Sequence, residues 1–179
     1  TKAPEQTTNP GTVTTGLSSR LMIGYYHTWD NAGNPFIKLR DVDSNWDVIN
    51  ISFAEPVSAG STDGKMRFNI SGLSSSYTKE DFKQDIKTLQ AKGKKIVLSI
   101  GGYEGYFSLD SQTAVNQFVS DIKGFVDEYG FDGIDIDLEQ SSVQFAQGND
   151  KDIRQINSPK LANMVSAIKT IVHSYGDDF

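Results

Sequence analysis

Cysteine is missing from this chain altogether, and histidine occurs only as His27 and His173. Without thiols there is neither a disulfide framework nor a thiolate metal site, and the redox compartment leaves no mark. Two histidines so far apart give a zinc centre few ligands and a Ser/His/Asp triad few bases. Long hydrophobic runs are lacking too. None nears the ~20 apolar residues that cross a bilayer, so no membrane span and no membrane partner is expected. Positive charge is scarce, 17 Lys and Arg against 23 Asp and Glu, for a formal net charge of −6. A nucleic-acid surface needs clustered Lys and Arg to release counterions, so this balance argues against a nucleic-acid partner and favours a neutral one. If the chain catalyses a reaction, carboxylates are expected to carry it.

What is present suffices for one packed domain: 179 residues, 37% of them hydrophobic and 22% charged. Residues 1–18, TKAPEQTTNPGTVTTGLS, are rich in Thr, Ser, Pro and Gly and show no apolar periodicity, the composition of an extended linker or flexible tail. Such tracts join the modules of secreted hydrolases, so a secreted, extracellular protein is expected, with 19–179 as its folded part.

From Arg20 onward, nearly continuous apolar runs alternate with helical stretches. The runs are LMIGYY (21–26), DVINISF (47–53), KKIVLSI (94–100) and GIDIDL (133–138), and they read as buried parallel strands. After the second, Phe82, Ile86 and Leu89 follow helical spacing, with Thr78 to cap the start and Gly93 to end the helix. After the third, Val115, Phe118, Val119, Ile122, Phe125, Val126 and Tyr129 form a stripe that stops at Gly130. After the fourth, Ser158-Pro159 reads as a helix start, and Leu161, Met164, Val165, Ile168, Ile171 and Val172 mark the buried face up to Gly176. A short helix is expected near Ile37 to Val42. Asp63-Gly64 reads as a hairpin turn within the excursion 55–77, and 140–157 is a second polar excursion. Strict β, α alternation predicts a parallel α/β fold whose ligands bind at the strand carboxyl ends; it does not separate an open sheet from a closed barrel.

In FDGIDIDLEQ, Asp135, Asp137 and Glu139 alternate with Ile134, Ile136 and Leu138, so a period of two puts the acids on one face and the aliphatics on the other. Flanking helices predict a central strand covered on both sides, where an uncompensated carboxylate costs several kcal/mol or takes up a proton. Neighbouring acids have backbone positions about 6.6 Å apart, close enough for their charges to couple. Desolvation and like charge both favour the protonated form, so one acid is expected to hold a proton near neutrality, and the outermost, Glu139, is the natural donor. A plain structural acidic strand is the bland alternative. A divalent-cation site is another, since hard oxygen ligands suit magnesium or calcium, yet no phosphate-cradling glycine-lysine loop accompanies the acids. No metal and no cofactor is expected.

The run Asp132-Gly133-Ile134-Asp135-Ile136-Asp137-Leu138-Glu139 resembles the DGxDxDxE signature of glycoside hydrolase family 18, and Ser99-Ile100-Gly101-Gly102 is similar to that family's SxGG element. The resemblance covers about residues 20–179. It implies a (β/α)8 TIM barrel, of which only about the first four β/α units are present, since such a barrel usually takes about 250 residues. It implies that Glu139 protonates the glycosidic oxygen, that Asp137 orients the substrate's N-acetyl group, and that Asp135 is the buried partner of Asp137. The nucleophile would be the substrate's own acetamido oxygen, an exception to the two-carboxylate scheme of glycosidases.

Tyr25 and Phe53 match aromatic positions lining the family's cleft, though barrel packing would also account for them. Trp29 and Tyr103 sit just past strand ends as further sugar platforms, while Gly101 and Gly102 allow a close turn beside the site. Tyr103 stands where many relatives have Trp, and Gln140 where Tyr is common. The resemblance implies a chitin or N-acetylglucosamine oligosaccharide as substrate and an endo-acting chitinase. Its alternatives are an endo-β-N-acetylglucosaminidase on N-glycans and a non-catalytic chitin lectin. Family residues on later strands have no candidates here, so full activity is expected only with them. Uncovered apolar edges are expected to drive self-association or pairing with the missing C-terminal half of the barrel.

Overall fold

The computed structural model describes residues 20–33, 35–70, 72–74, 76–142, 154–177 and 179. The Thr/Pro tract 1–18 and the middle of the excursion 140–157 lie outside these. Each apolar run becomes a strand: β1 (Ile23–His27), β2 (Val48–Pro56), β4 (Lys95–Gly101) and β5 (Gly133–Asp137). A short β3 (Met66–Arg67) pairs antiparallel with β2, and α1 (Lys79–Gln90), α2 (Gln112–Tyr129) and α3 (Pro159–Tyr175) fill the connections. The other four strands run parallel in the order β1-β2-β4-β5. The short helix expected near 37–42 is a single 3-10 turn, Leu39–Asp41.

Local chemistry sets the helix limits. Thr78 and Asp81 form a reciprocal capping box at the start of α1, satisfying amides that would otherwise lack partners. Ser111 caps α2, and Gly130 closes it in the left-handed conformation, φ 75°. Inside, Ile96, Leu98 and Ile100 of β4 are wholly buried against Phe82 and Ile86 of α1 and Phe118 and Ile122 of α2. Asp132 brackets the amino end of β5: one carboxylate oxygen accepts from the Ile96 amide at 2.8 Å and from Gln90 Nε2 at 2.9 Å. The first acid of the motif thus fixes strand register at the end away from the site.

Among the described residues β5 is bonded to β4 alone, and its other edge is where the next strand of a complete barrel would pair. α3 packs chiefly on α2, so Ile136 is 39% exposed, while Ile134 and Leu138 are half-buried. The alternation reports which residues share a face; burial needs neighbours that a strand's own sequence does not specify. The opposite edge is equally bare, with Ile23 57% exposed.

The Leu39–Asp41 turn is tied to α1 through buried Asp85, whose carboxylate accepts from the Tyr77 hydroxyl at 2.5 Å and from Arg40 Nε at 2.8 Å. Burial, with Asp85 adding to it, pushes the Tyr77 and Tyr26 phenols above their ordinary value. The folded chain therefore keeps these protons at a pH where the unfolded chain releases them. Their contribution to stability is full below pH ~10, the unfolded phenol value, and falls as pH rises beyond it. Urea midpoints measured against pH should stay level to about pH 9 and drop above about 10, with late phenolate absorbance appearing together with unfolding. If all 7 tyrosines titrate together at the ordinary value in an intact fold, this account is wrong.

Candidate active site

Parallel strands bring their carboxyl ends to one side, and the named residues gather there. Direct pairing sets Ser99 beside Asp135 and Gly101 beside Asp137. Asp135 Oδ2 accepts from Ser99 Oγ at 2.7 Å and from the Tyr25 hydroxyl at 3.0 Å. Tyr25 is on β1, and β1 stands three strand spacings from β5, about 14 Å along a flat sheet. One tyrosine side chain does not span that distance, so the sheet is rolled with its acid face inside. Burial raises the Tyr25 phenol above its ordinary value; a hydrogen bond with Asn50 opposes this and Asp135 reinforces it. The phenol stays protonated and able to donate to Asp135 at neutral pH.

The two glycines at the carboxyl end of β4 lie where any side chain would collide. A Cβ on Gly101, φ 114°, would stand 2.2 Å from the Asp137 carbonyl oxygen, and one on Gly102 2.9 Å from the Phe53 ring. The Gly102 amide donates to that same Asp137 oxygen at 2.8 Å, locking the ends of β4 and β5 together. Phe53 follows a cis peptide bond with Ser52 and lies 6.4 Å from Tyr25 and 6.1 Å from Trp29, centroid to centroid. These rings form an aromatic floor, and Tyr103 stands at the rim, 68% exposed.

Glu139 sits just past the end of β5, half-buried, and its carbonyl accepts from the Ser142 amide at 3.0 Å in the 3-10 turn Gln140–Ser142. Gln140 takes φ 51° and donates from Nε2 to the Tyr103 carbonyl at 2.6 Å, linking the loops after β4 and β5. Among the described residues no hydrogen bond or ion pair engages the side-chain carboxylates of Asp137 or Glu139. Tyr25, Ser99 and Asp135 are joined by side-chain hydrogen bonds, Gly101 and Gly102 meet Asp137 through strand pairing and a backbone hydrogen bond, and Phe53 meets Trp29 and Gly102 through packing. Asp137 and Glu139 are thus the named acids whose carboxylates, among the described residues, are open to a ligand.

Sequence reasoning passed over Asn50, buried and hydrogen-bonded to Tyr25. A polar residue inside the apolar run DVINISF was the available signal. It also passed over Glu55 and Arg67, which face each other across the β2–β3 hairpin. Together with the aromatic floor they line a trough of three adjoining grooves, of about 430, 400 and 430 Å³.

Comparison with known proteins agrees with this geometry. "Chitinase D" of Niallia circulans is 42% identical over 175 residues, which is 97% of this chain and 32% of that protein. "Chitinase Chi52" of Paenibacillus xylanexedens is 41% identical over 171 residues, 96% of this chain and 30% of that one. Among solved structures, a family GH18 chitinase from Chromobacterium violaceum superposes with a TM-score of 0.74 at 34% identity, over 96% of this chain and 42% of that chain. This chain therefore spans about a third of the length of the curated relatives it matches. The model of glycosyl hydrolases family 18 matches residues 21–173, and the chain belongs to that family, holding about the first four β/α units of its (β/α)8 barrel.

Proposed function

We propose that the protein carrying this chain is a secreted chitinase that cleaves β-1,4 bonds between N-acetylglucosamine units with retention. Glu139 protonates the bridging oxygen as the C1–O bond breaks, and the acetamido oxygen of the same sugar attacks C1 to form an oxazolinium ring. Water then opens the ring at C1 and gives its proton to the Glu139 carboxylate, which restores the acid. Asp137 orients and polarises the acetamido group. Asp135, held by Ser99 and Tyr25, keeps the acid face in place beneath it. Trp29, Phe53 and Tyr103 receive the apolar faces of the pyranose rings, and Gly101 and Gly102 leave room for the turn beside them.

The observation that carries this reading is the Tyr25–Asp135–Ser99 network. It holds the Asp135 carboxylate on the inner face of a rolled sheet beside an aromatic floor, in a chain whose relatives are named chitinases. Asp135 and Asp137 lie on β5 and Glu139 two residues past its end, so no pair of these acids flanks the sugar from opposite sides, which favours the substrate's own acetamido group as nucleophile.

The test is product analysis after joining the chain to the remaining length of the Niallia circulans relative. Incubated with a chitin hexasaccharide and with an N-glycosylated protein, it should release short N-acetylglucosamine oligomers from the first. Dominant release of intact N-glycans would move the assignment to an endo-β-N-acetylglucosaminidase. Saccharide binding without turnover on either would make it a lectin.

A further inference from the structure

We infer that the β2–β3 hairpin builds a second sugar subsite, two strands away from the acid strand, in which the Glu55–Arg67 pair grips the hydroxyl and acetamido groups of a further uncharged pyranose unit. This inference rests on the glycan reading of the site and adds to it the residues that set how long a saccharide the cleft holds.

Glu55 and Arg67 are register partners on the hairpin, joined Oε2 to Nη2 at 3.2 Å. Their side chains are 34% and 60% exposed, and a pair so open to water contributes only about 0–1 kcal/mol to folding. Stability therefore does not account for the placement. Both residues line the two outer grooves of the trough, one shared with Thr28, Trp29 and Phe53, the other with Tyr103 and Tyr106. The arm that carries them is rigid. The Met66 amide donates to Asp121 of α2 at 2.9 Å, the Gly60 amide to the Tyr106 carbonyl at 2.7 Å and the Ser108 amide to the Ser61 carbonyl at 3.1 Å. A Cβ on Gly64 would stand 2.0 Å from the Ala114 carbonyl oxygen, so the hairpin loop lies directly on the start of α2. A preorganised arm loses little freedom when a ligand arrives.

The chemistry fits a neutral sugar. A guanidinium offers five N–H donors in a planar fork, and among the described residues only Glu55 accepts from that of Arg67. The remaining donors suit hydroxyl and amide carbonyl oxygens, while the Glu55 carboxylate accepts from sugar hydroxyls. Because the pair cancels its own charge, it does not select an ionic ligand. The Trp29 ring, 37% exposed on the same groove, supplies the flat apolar surface that a pyranose face covers.

The test uses the chimera completed from the Niallia circulans relative, carrying Glu139→Gln so that the saccharides stay uncleaved. Affinity for the di- and hexasaccharide of β-1,4-linked N-acetylglucosamine would be followed by tryptophan fluorescence, with circular dichroism checking the fold of each variant. Arg67→Ala is expected to weaken the hexasaccharide about tenfold and leave the disaccharide within about twofold. Arg67→Lys, which keeps the charge without the fork, should lose most of the same affinity, and Glu55→Gln should act in the same direction. Unchanged hexasaccharide binding in Arg67→Ala, or an equal loss on both lengths, overturns the subsite while leaving the glycan reading intact. A Glu139→Gln chimera that binds neither saccharide overturns that reading and the subsite with it.

Discussion

Replacing Glu139 by Gln is expected to lower hydrolysis of a chitin oligomer by about 10²–10⁴-fold, the usual contribution of a positioned general acid. The amide is nearly the same size and no described side chain bonds to this carboxylate, so the fold has little to lose. The amide holds no proton that it can pass to a departing sugar oxygen near neutral pH. Affinity for the uncleaved oligomer should stay within about threefold of the parent, because the change removes stabilisation in the transition state rather than in the bound ground state. The measurement is kcat for hexasaccharide cleavage in the chimera completed from the Niallia circulans relative, with binding measured alongside. Turnover within a factor of two of the parent would remove Glu139 from the mechanism, whatever the affinity.

Gly101→Ala should be the most damaging small substitution in the sheet, costing about 4 kcal/mol when backbone strain and overpacking add. Its φ of 114° lies outside the range open to an L side chain, and the added methyl would stand 2.2 Å from the Asp137 carbonyl oxygen. Relief requires β4 and β5 to separate at their carboxyl ends, which breaks the Gly102–Asp137 hydrogen bond and moves Asp137 itself. Gly93→Ala is the matched control, since Gly93 also has positive φ, 81°, but nothing lies within 4 Å of its added carbon. That variant should cost only about 1 kcal/mol, the left-handed strain alone. Denaturant unfolding of both would decide the matter: equal losses would mean that the contact with Asp137 has no energetic weight.

The parts of the fold that depend on short-range pattern were legible. Thr78 and Gly130 mark helix limits because capping satisfies amides and carbonyls within a turn or two of the residue itself, and Ser158-Pro159 marks one because proline in the first turn needs no amide partner. The grouping of Asp135 with Asp137 follows from strand geometry alone. The Asp63-Gly64 turn is part of a hairpin, yet the structure gives a longer connection than a two-residue turn, closed by the Val57 amide on the Lys65 carbonyl at 3.0 Å. The dipeptide did not reveal that Gly64 answers to Ala114 of a helix about fifty residues later. Asp132, which opens the motif and takes no role from the sequence alone, fixes register through partners that come from other elements, Gln90 and Ile96.

By itself the sequence determined the order of strands and helices, the face shared by the acids, and the family whose signature they match, since each follows from neighbours along the chain. Only the tertiary structure decided that Tyr25 reaches Asp135 across a rolled sheet, that Asp132 ties β5 to β4 and α1, and that Glu55 and Arg67 face the trough. The reason is physical: spacing along a strand fixes direction, while curvature, burial and partnership depend on which distant segments arrive beside it.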